Sequence, residues 1–248
     1  MEDFDLICDY YSNLERQGPG SPEITIKALS FIENISSNSK IADIGCGTGS
    51  QTITLAQNTD CFVTGIDLFP RFITILNTNA QKLNLHNKLN GIVGSMEDLP
   101  FSNEEYDLIW SEGAIYNIGF QRGLTEWNRF IKKNGFIAVS EISWFTKDRP
   151  DEINDFWNNE YPEIDSIPNK LEILQETGFA PIACFTLPEY CWTKNFYEPQ
   201  SKMQDDFLQK HDYKKEAFDL VNSQKEEAEL YYRYSDFYGY AFYIGKKI

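Results

Sequence analysis

Residues 41–50, IADIGCGTGS, constrain the fold of this chain more than any other stretch. A short apolar run ends in Asp43-Ile44, glycines alternate at 45, 47 and 49, and a helix-compatible segment, SQTITLAQN, follows. Glycines there let the backbone turn sharply and approach a ligand without interference from a Cβ atom. A strand that feeds a helix through such a turn belongs at the carboxyl edge of an open parallel sheet, where α/β proteins bind ligands.

The loop is not the dinucleotide fingerprint. Counted from Gly45, that pattern needs glycine or alanine at position 50, where Ser50 stands. Asp43 precedes the turn by two residues. Its carboxylate is poorly placed beside a pyrophosphate and suits a ligand with an ammonium group and a sulfonium centre. Asp67 ends the next apolar run, in Gly65-Ile66-Asp67-Leu68, 18 residues beyond Gly49. A carboxylate at that point accepts both ribose hydroxyls of an adenosine; the plainer alternative makes it a helix N-cap before Pro70.

Around the loop, apolar β-type runs alternate with helical patterns. Strands are expected at 40–44, 61–66, 91–94, 106–110 and 136–142, with helices at 50–58, 70–86 and 124–132. Pro70 suits a first helical turn, and Asn134-Gly135 reads as the end of the 124–132 helix. This alternation implies a Rossmann-like α/β fold, a mostly parallel sheet with helices on both faces. Residues 1–35 read as two helices broken at Gln17-Gly18-Pro19-Gly20-Ser21-Pro22. Residues 144–162 read as a polar and aromatic segment, followed by a helix at 169–177 closed by Gly178, a strand at 181–187, a charged helix at about 213–232 and a last strand at 238–244. With no repeat or low-complexity linker, residues 1–248 are expected to form one domain: a helical lid at 1–35, a core at 36–145, an insertion at 146–178 and the rest of the sheet at 179–248.

Composition narrows the partners. The net charge of −16 and the absence of any Lys/Arg cluster larger than Lys132-Lys133, Lys214-Lys215 or Lys246-Lys247 disfavour a nucleic-acid ligand, which needs a basic face. No apolar run approaches the ~20 residues that cross a bilayer. Five scattered cysteines, Cys8, Cys46, Cys61, Cys184 and Cys191, contain no C-x-x-C pair and read as reduced thiols of a cytoplasmic protein. His86 and His211 are isolated, and no carboxylate/histidine cluster has metal-ligand spacing, so no metal site is expected.

Asp43-Ile44-Gly45-Cys46-Gly47-Thr48-Gly49 resembles the D-x-G-x-G-x-G signature of class I S-adenosylmethionine-dependent methyltransferases. The order of elements is similar over most of the chain. The segment Gly94-Ser95-Met96-Glu97-Asp98-Leu99-Pro100-Phe101 resembles that of the ubiquinone/menaquinone-type small-molecule subgroup. The resemblance implies a seven-stranded sheet whose last strand runs antiparallel, with S-adenosylmethionine as cofactor. It also implies a cofactor site of Asp43, Gly45, Cys46, Gly47, Gly49, Asp67, Leu68, Ser95, Met96, Glu97 and Glu112, with Leu68 on the adenine ring and Met96 or its neighbours at its edge. Many relatives carry Asp where Ser95 stands, which leaves the contact to the adenine amino group open. Tyr11 and residues 17–21 occupy the position that forms the lid in this family.

Methyl transfer from a sulfonium is an in-line displacement, in which proximity alone is worth up to ~7–11 kcal/mol. A general base is needed only for a protonated nucleophile. Glu112 and Tyr116, after the fourth strand, and Glu141, near the end of the fifth, are the candidates; Glu141 reads equally as a solvated strand end or a salt-bridge partner. The chain lacks the Asn/Asp-Pro-Pro-Tyr/Phe tetrad of amino-methylating DNA and protein enzymes, which favours a small-molecule acceptor. Trp144, Trp157, Tyr161, Tyr190, Trp192 and Tyr197 suit either an apolar acceptor pocket or plain core. The alternatives are a non-catalytic scaffold that binds S-adenosylmethionine and an RNA methyltransferase.

Overall fold

A computed structural model describes residues 2–248; Met1, the first residue of the expected helical lid, lies outside them. Strand β1 (Lys40–Ile44) is buried on both faces after its first residue, as a central parallel strand must be. It pairs in parallel with β2 (Phe62–Asp67) on one side and β4 (Tyr106–Glu112) on the other, and β3 (Leu89–Val93) continues the sheet beyond β2. Past β4 come β5 (Ile131–Trp144), then β8 (Tyr238–Lys247), then β7 (Phe179–Thr186). Strand β8 runs antiparallel to both of its neighbours.

The expected seven strands are joined by an eighth, β6 (Asp165–Ser166), two residues long. Strand β4 stops pairing with β5 at Ser140, and β6 takes over the vacated edge at Ser143 and Trp144. The inserted segment is thereby pinned to the sheet.

Helices cover both faces. The helices α2 (Pro22–Leu29), α3 (Ser50–Asn58) and α4 (Pro70–Lys82) pack Ala28, Leu55 and Leu76 against one side. The other side receives α5 (Phe120–Asn128) and α7 (Ile167–Glu176) through Leu124, Trp127 and Leu174. A third cluster joins α1 (Glu2–Ser12), α8 (Glu198–Lys210) and α9 (Lys215–Tyr234) around Tyr10, Phe207 and Val221.

Several boundaries differ from expectation. The fifth helix lies four residues earlier, because Gly119 at φ +89° starts the turn and Arg129 closes it. Asn134-Gly135 is no helix end. Asn134, at φ +63°, lies inside β5, where the register against β4 slips between Tyr106 and Leu108. Helix α4 stops at Lys82 rather than 86, with Asn84 at φ +58°. The segment 144–162 contains α6 (Asp151–Glu160), whose Ile153 and Trp157 are buried on one face. Residues 189–210, which carry no assignment from the sequence, form a short 3₁₀ turn, a π turn and α8. All five cysteines are unpaired, and no helix among the described residues is long and apolar enough to cross a membrane.

Candidate functional site

The carboxyl ends of β1, β2 and β4 open on a cavity of about 530 Å³, within the size range of small-molecule sites. The loop after β1 forms its floor. Gly45 and Cys46 donate their backbone N–H groups to the carbonyl of Ile66, at 2.8 and 3.0 Å, which ties the loop to β2. Gly45 and Gly47 have φ of +73° and +56°, and a Cβ at either would collide with Ala114 or with Gln17. Only glycine suits both positions.

Asp67, at the end of β2, holds the loop from the other side. Its Oδ2 accepts from the Gly47 N–H at 2.9 Å and its Oδ1 from the Phe69 N–H at 3.0 Å. Burial pushes its carboxyl above the usual range, and backbone N–H groups of Phe69, Gly47 and Leu68 work against that shift. Beside it, Leu68 is 54 % exposed and presents an apolar wall, with Ser95, Met96 and Glu97 at the neighbouring edge. Ser95 accepts from the Glu97 N–H at 3.2 Å, and Glu97 pairs with Arg122 at 2.9 Å. An acidic group flanked by apolar walls and a close-approach backbone turn fits a ribose, a flat base and a short polar tail.

The structure separates the remaining candidates. Cys46 lines the cavity, but burial pushes its thiol well up, so it stays protonated. Gly49 faces Leu76 and lies outside the cavity lining. Asp43 is fully buried behind the loop and also outside the lining; its Oδ2 accepts from Thr52 Oγ1 at 2.6 Å, while Oδ1 has no partner among the described residues. Burial, opposed by Thr52, raises its carboxyl to about 7. Tyr116 and Tyr11 both line the cavity, and the Tyr11 hydroxyl donates to Gln224 at 2.9 Å.

Glu112 borders the cavity, yet its carboxylate is already engaged. Arg16 donates to Oε2, while Thr25 Oγ1 at 2.6 Å and Trp110 Nε1 at 3.0 Å donate to Oε1. Both of its oxygens are thus occupied by donors from this chain. Glu141 is still further from a base. It is fully buried, outside the cavity lining, and paired with the equally buried Lys170 at 3.1 Å.

Arg16, not singled out by the sequence, and Gln17, the first residue of the expected lid segment 17–21, complete the site. Arg16 also reaches Ser50 at 3.2 Å. Gln17 accepts from the Thr48 N–H at 2.8 Å and Thr48 Oγ1 at 3.1 Å, while its amide donates to the carbonyls of Tyr11 and Leu14. Together they strap residues 11–20 across the glycine loop. The unbroken polar run Arg16-Gln17 before Gly-Pro-Gly was the available signal.

Comparison with known proteins agrees with this geometry. Residues 42–139 match the family model described as a methyltransferase domain. Sterol 24-C-methyltransferase of Candida albicans is 28% identical over 49% of this chain and 32% of its own length. Demethylmenaquinone methyltransferase of Tropheryma whipplei is 32% identical over 44% of each chain. The match thus spans 32% to 44% of the length of these curated relatives. A methyltransferase of Geobacter sulfurreducens, solved with S-adenosyl-L-homocysteine, shares the fold over 100% of this chain and 98% of its own, with a TM-score of 0.83 at 16% identity. The matched part ends at residue 139, so the insertion and C-terminal helices lie outside it.

Proposed function

We propose that this chain is an S-adenosylmethionine-dependent methyltransferase acting on a small-molecule acceptor. The observation that carries the reading is Asp67, a carboxylate at the wall of a cavity floored by Gly45 and Gly47. S-adenosylmethionine, when bound, supplies a methyl group made electrophilic by its sulfonium.

The residues of this chain bind and orient. Asp67 accepts the ribose hydroxyls, Leu68 and Met96 flank the adenine, and Ser95 and Glu97 border its edge. Gly45, Cys46 and Gly47 bring backbone close to the methionine portion, and Tyr11 covers it. Asp43 and Gly49 support the loop from behind. Gly113, Ala114 and Tyr116 follow β4 and front the acceptor, with the Tyr116 hydroxyl available to orient a nucleophile. Glu112 positions Arg16, and Glu141 anchors α7 through Lys170. Catalysis is then chiefly alignment of nucleophile and methyl group, with water kept out by the strap at residues 11–20.

The acidic surface and scattered lysines support a small acceptor over RNA. The unpaired cysteines support action in a reducing compartment such as the cytoplasm. We read residues 1–248 as one domain, with 1–35 as the lid and 146–178 as an insertion. Titration calorimetry is the test: S-adenosylmethionine or S-adenosylhomocysteine binds, and NAD does not. Absence of heat with both adenosyl ligands overturns the reading, and binding without turnover across a broad acceptor panel favours a scaffold.

A further inference from the structure

Behind Tyr11, beyond the residues that line the cavity, stands an acid for which the proposed roles above have no use. Gln224 and Glu227 lie one turn apart on α9, on a single face. Tyr11, which lines the cavity, donates to Gln224, and Tyr197 donates to Glu227 Oε1 at 2.9 Å. That face of α9 therefore backs the cavity wall. Tyr11 and Tyr116 from the cavity, Tyr238 and Tyr240 from β8, and Tyr197 all stand within electrostatic reach of the Glu227 carboxylate.

No Lys, Arg or His among the described residues balances it. Glu160, a second acid, is the charged group that acts on it, and the Tyr197 hydroxyl is its one hydrogen-bond donor. Burial pushes its carboxyl up to about 7. Interior carboxylates are rarely left unpaired. Arg16 matches Glu112 and Lys170 matches Glu141, whereas Asp43, unmatched as well, is fully buried and holds Thr52; Glu227 is half-buried. An unmatched acid among tyrosine rings offers a cation both a counter-charge and aromatic faces.

We propose that Glu227 and the tyrosines around it form a subsite for a cationic nitrogen on the methyl acceptor. The inference rests on the methyltransferase reading and narrows its acceptor class to ammonium compounds. The neutral alternative is a Glu227 that stays protonated as part of the core.

Both are tested on the full chain saturated with S-adenosylhomocysteine, with phenethylammonium chloride as the probe and phenethyl alcohol as its neutral counterpart, titrated at pH 8. The cation binds at least tenfold more tightly than the alcohol. Glu227→Gln brings the two to equal affinity and leaves S-adenosylhomocysteine binding unchanged. Equal affinities in the unmodified protein, or no binding of either probe, overturn the subsite, and this arm needs no variant to fold. A cation preference that survives Glu227→Gln overturns it as well. Failure of the unmodified protein to bind S-adenosylhomocysteine overturns the methyltransferase reading instead.

Discussion

Arg16 and Glu112 are 96 residues apart in sequence and form a buried ion pair at the edge of the cavity, with side chains 6% and 3% exposed. Trp110 and Thr25 satisfy the rest of the carboxylate, and Ser50 takes a second nitrogen of the guanidinium. One pair thus fastens the N-terminal segment, the start of α3 and the end of β4 together. Its energetic weight lies in what happens when it is broken.

Removing one partner of a buried pair strands the other charge, a loss of about 3–5 kcal/mol. Arg16→Met is expected to lower stability by that order in urea unfolding. Arg16→Met combined with Glu112→Gln, which removes both charges, is expected to lose less than the single variant.

In the proposed site, Asp67 is the residue on which cofactor affinity is expected to turn. Asp67→Ala removes a charge-assisted hydrogen bond worth ~1.5–3 kcal/mol, so affinity for S-adenosylhomocysteine is expected to fall roughly ten- to hundredfold. Calorimetry on a variant whose circular dichroism matches the parent checks this. An unchanged dissociation constant would remove the ribose assignment.

The Lys170–Glu141 pair separates structure from catalysis. Lys170→Met leaves Glu141 charged and enclosed, with an expected loss of about 3–5 kcal/mol. Adding Glu141→Leu is expected to restore most of that stability, because apolar replacements of buried pairs are often neutral. If Glu141 took protons from the acceptor, the doubly substituted protein would be stable and inactive. Retained turnover is the expected result.

Acidity acts on this fold from two directions. Asp43 ionises only near pH 7 in the folded chain, against a usual value of 3.8, because it is buried. Between those values the folded state binds more protons than the unfolded one, so stability falls as pH rises through that window. Glu227, raised from 4.5 to about 7, acts in the same sense. Asp9 does the reverse: burial raises its carboxyl, but hydrogen bonds from Lys210, His211 and Arg71 prevail and bring it to about 2. Its contribution is lost as pH falls from 3.8 toward 2. Maximal thermal stability is therefore expected in the mildly acidic range, and Asp43→Asn is expected to flatten the decline toward pH 8. A melting temperature that rises from pH 5 to pH 8 would contradict this.

The parts of the site legible in the sequence are those dictated locally. Gly45 and Gly47 have φ values that favour glycine, and Asp67 acts on backbone groups fixed by the same turn. Arg16 and Gln17 carry no such mark, since their partners Glu112 and Thr48 lie 96 and 31 residues away. Asn134-Gly135 misleads for a physical reason. A positive φ at Asn134 serves a helix end and a strand irregularity equally well, and only pairing with β4 decides between them. In α6, two buried apolar residues among acids and asparagines leave a weak stripe, and the helix is held by Ile153 and Trp157 packing on the core. Glu112 is the last residue of β4 rather than the first beyond it, and its role depends on Arg16, which lies outside the matched segment 42–139.

The N-terminal strap has a consequence for the order in which the protein is completed. Tyr10 bonds to Gln200 and Gln204, Asp9 to Lys210 and His211, and Tyr11 to Gln224. Residues 9–11 thus take their places against residues 200–224, which are synthesised later. At ~5–20 residues per second, about 200 residues of synthesis separate them by roughly 10–40 s. Once Asp67 has followed the glycine turn, the nascent chain has a finished floor and an open roof until residues 200–224 arrive to enclose it.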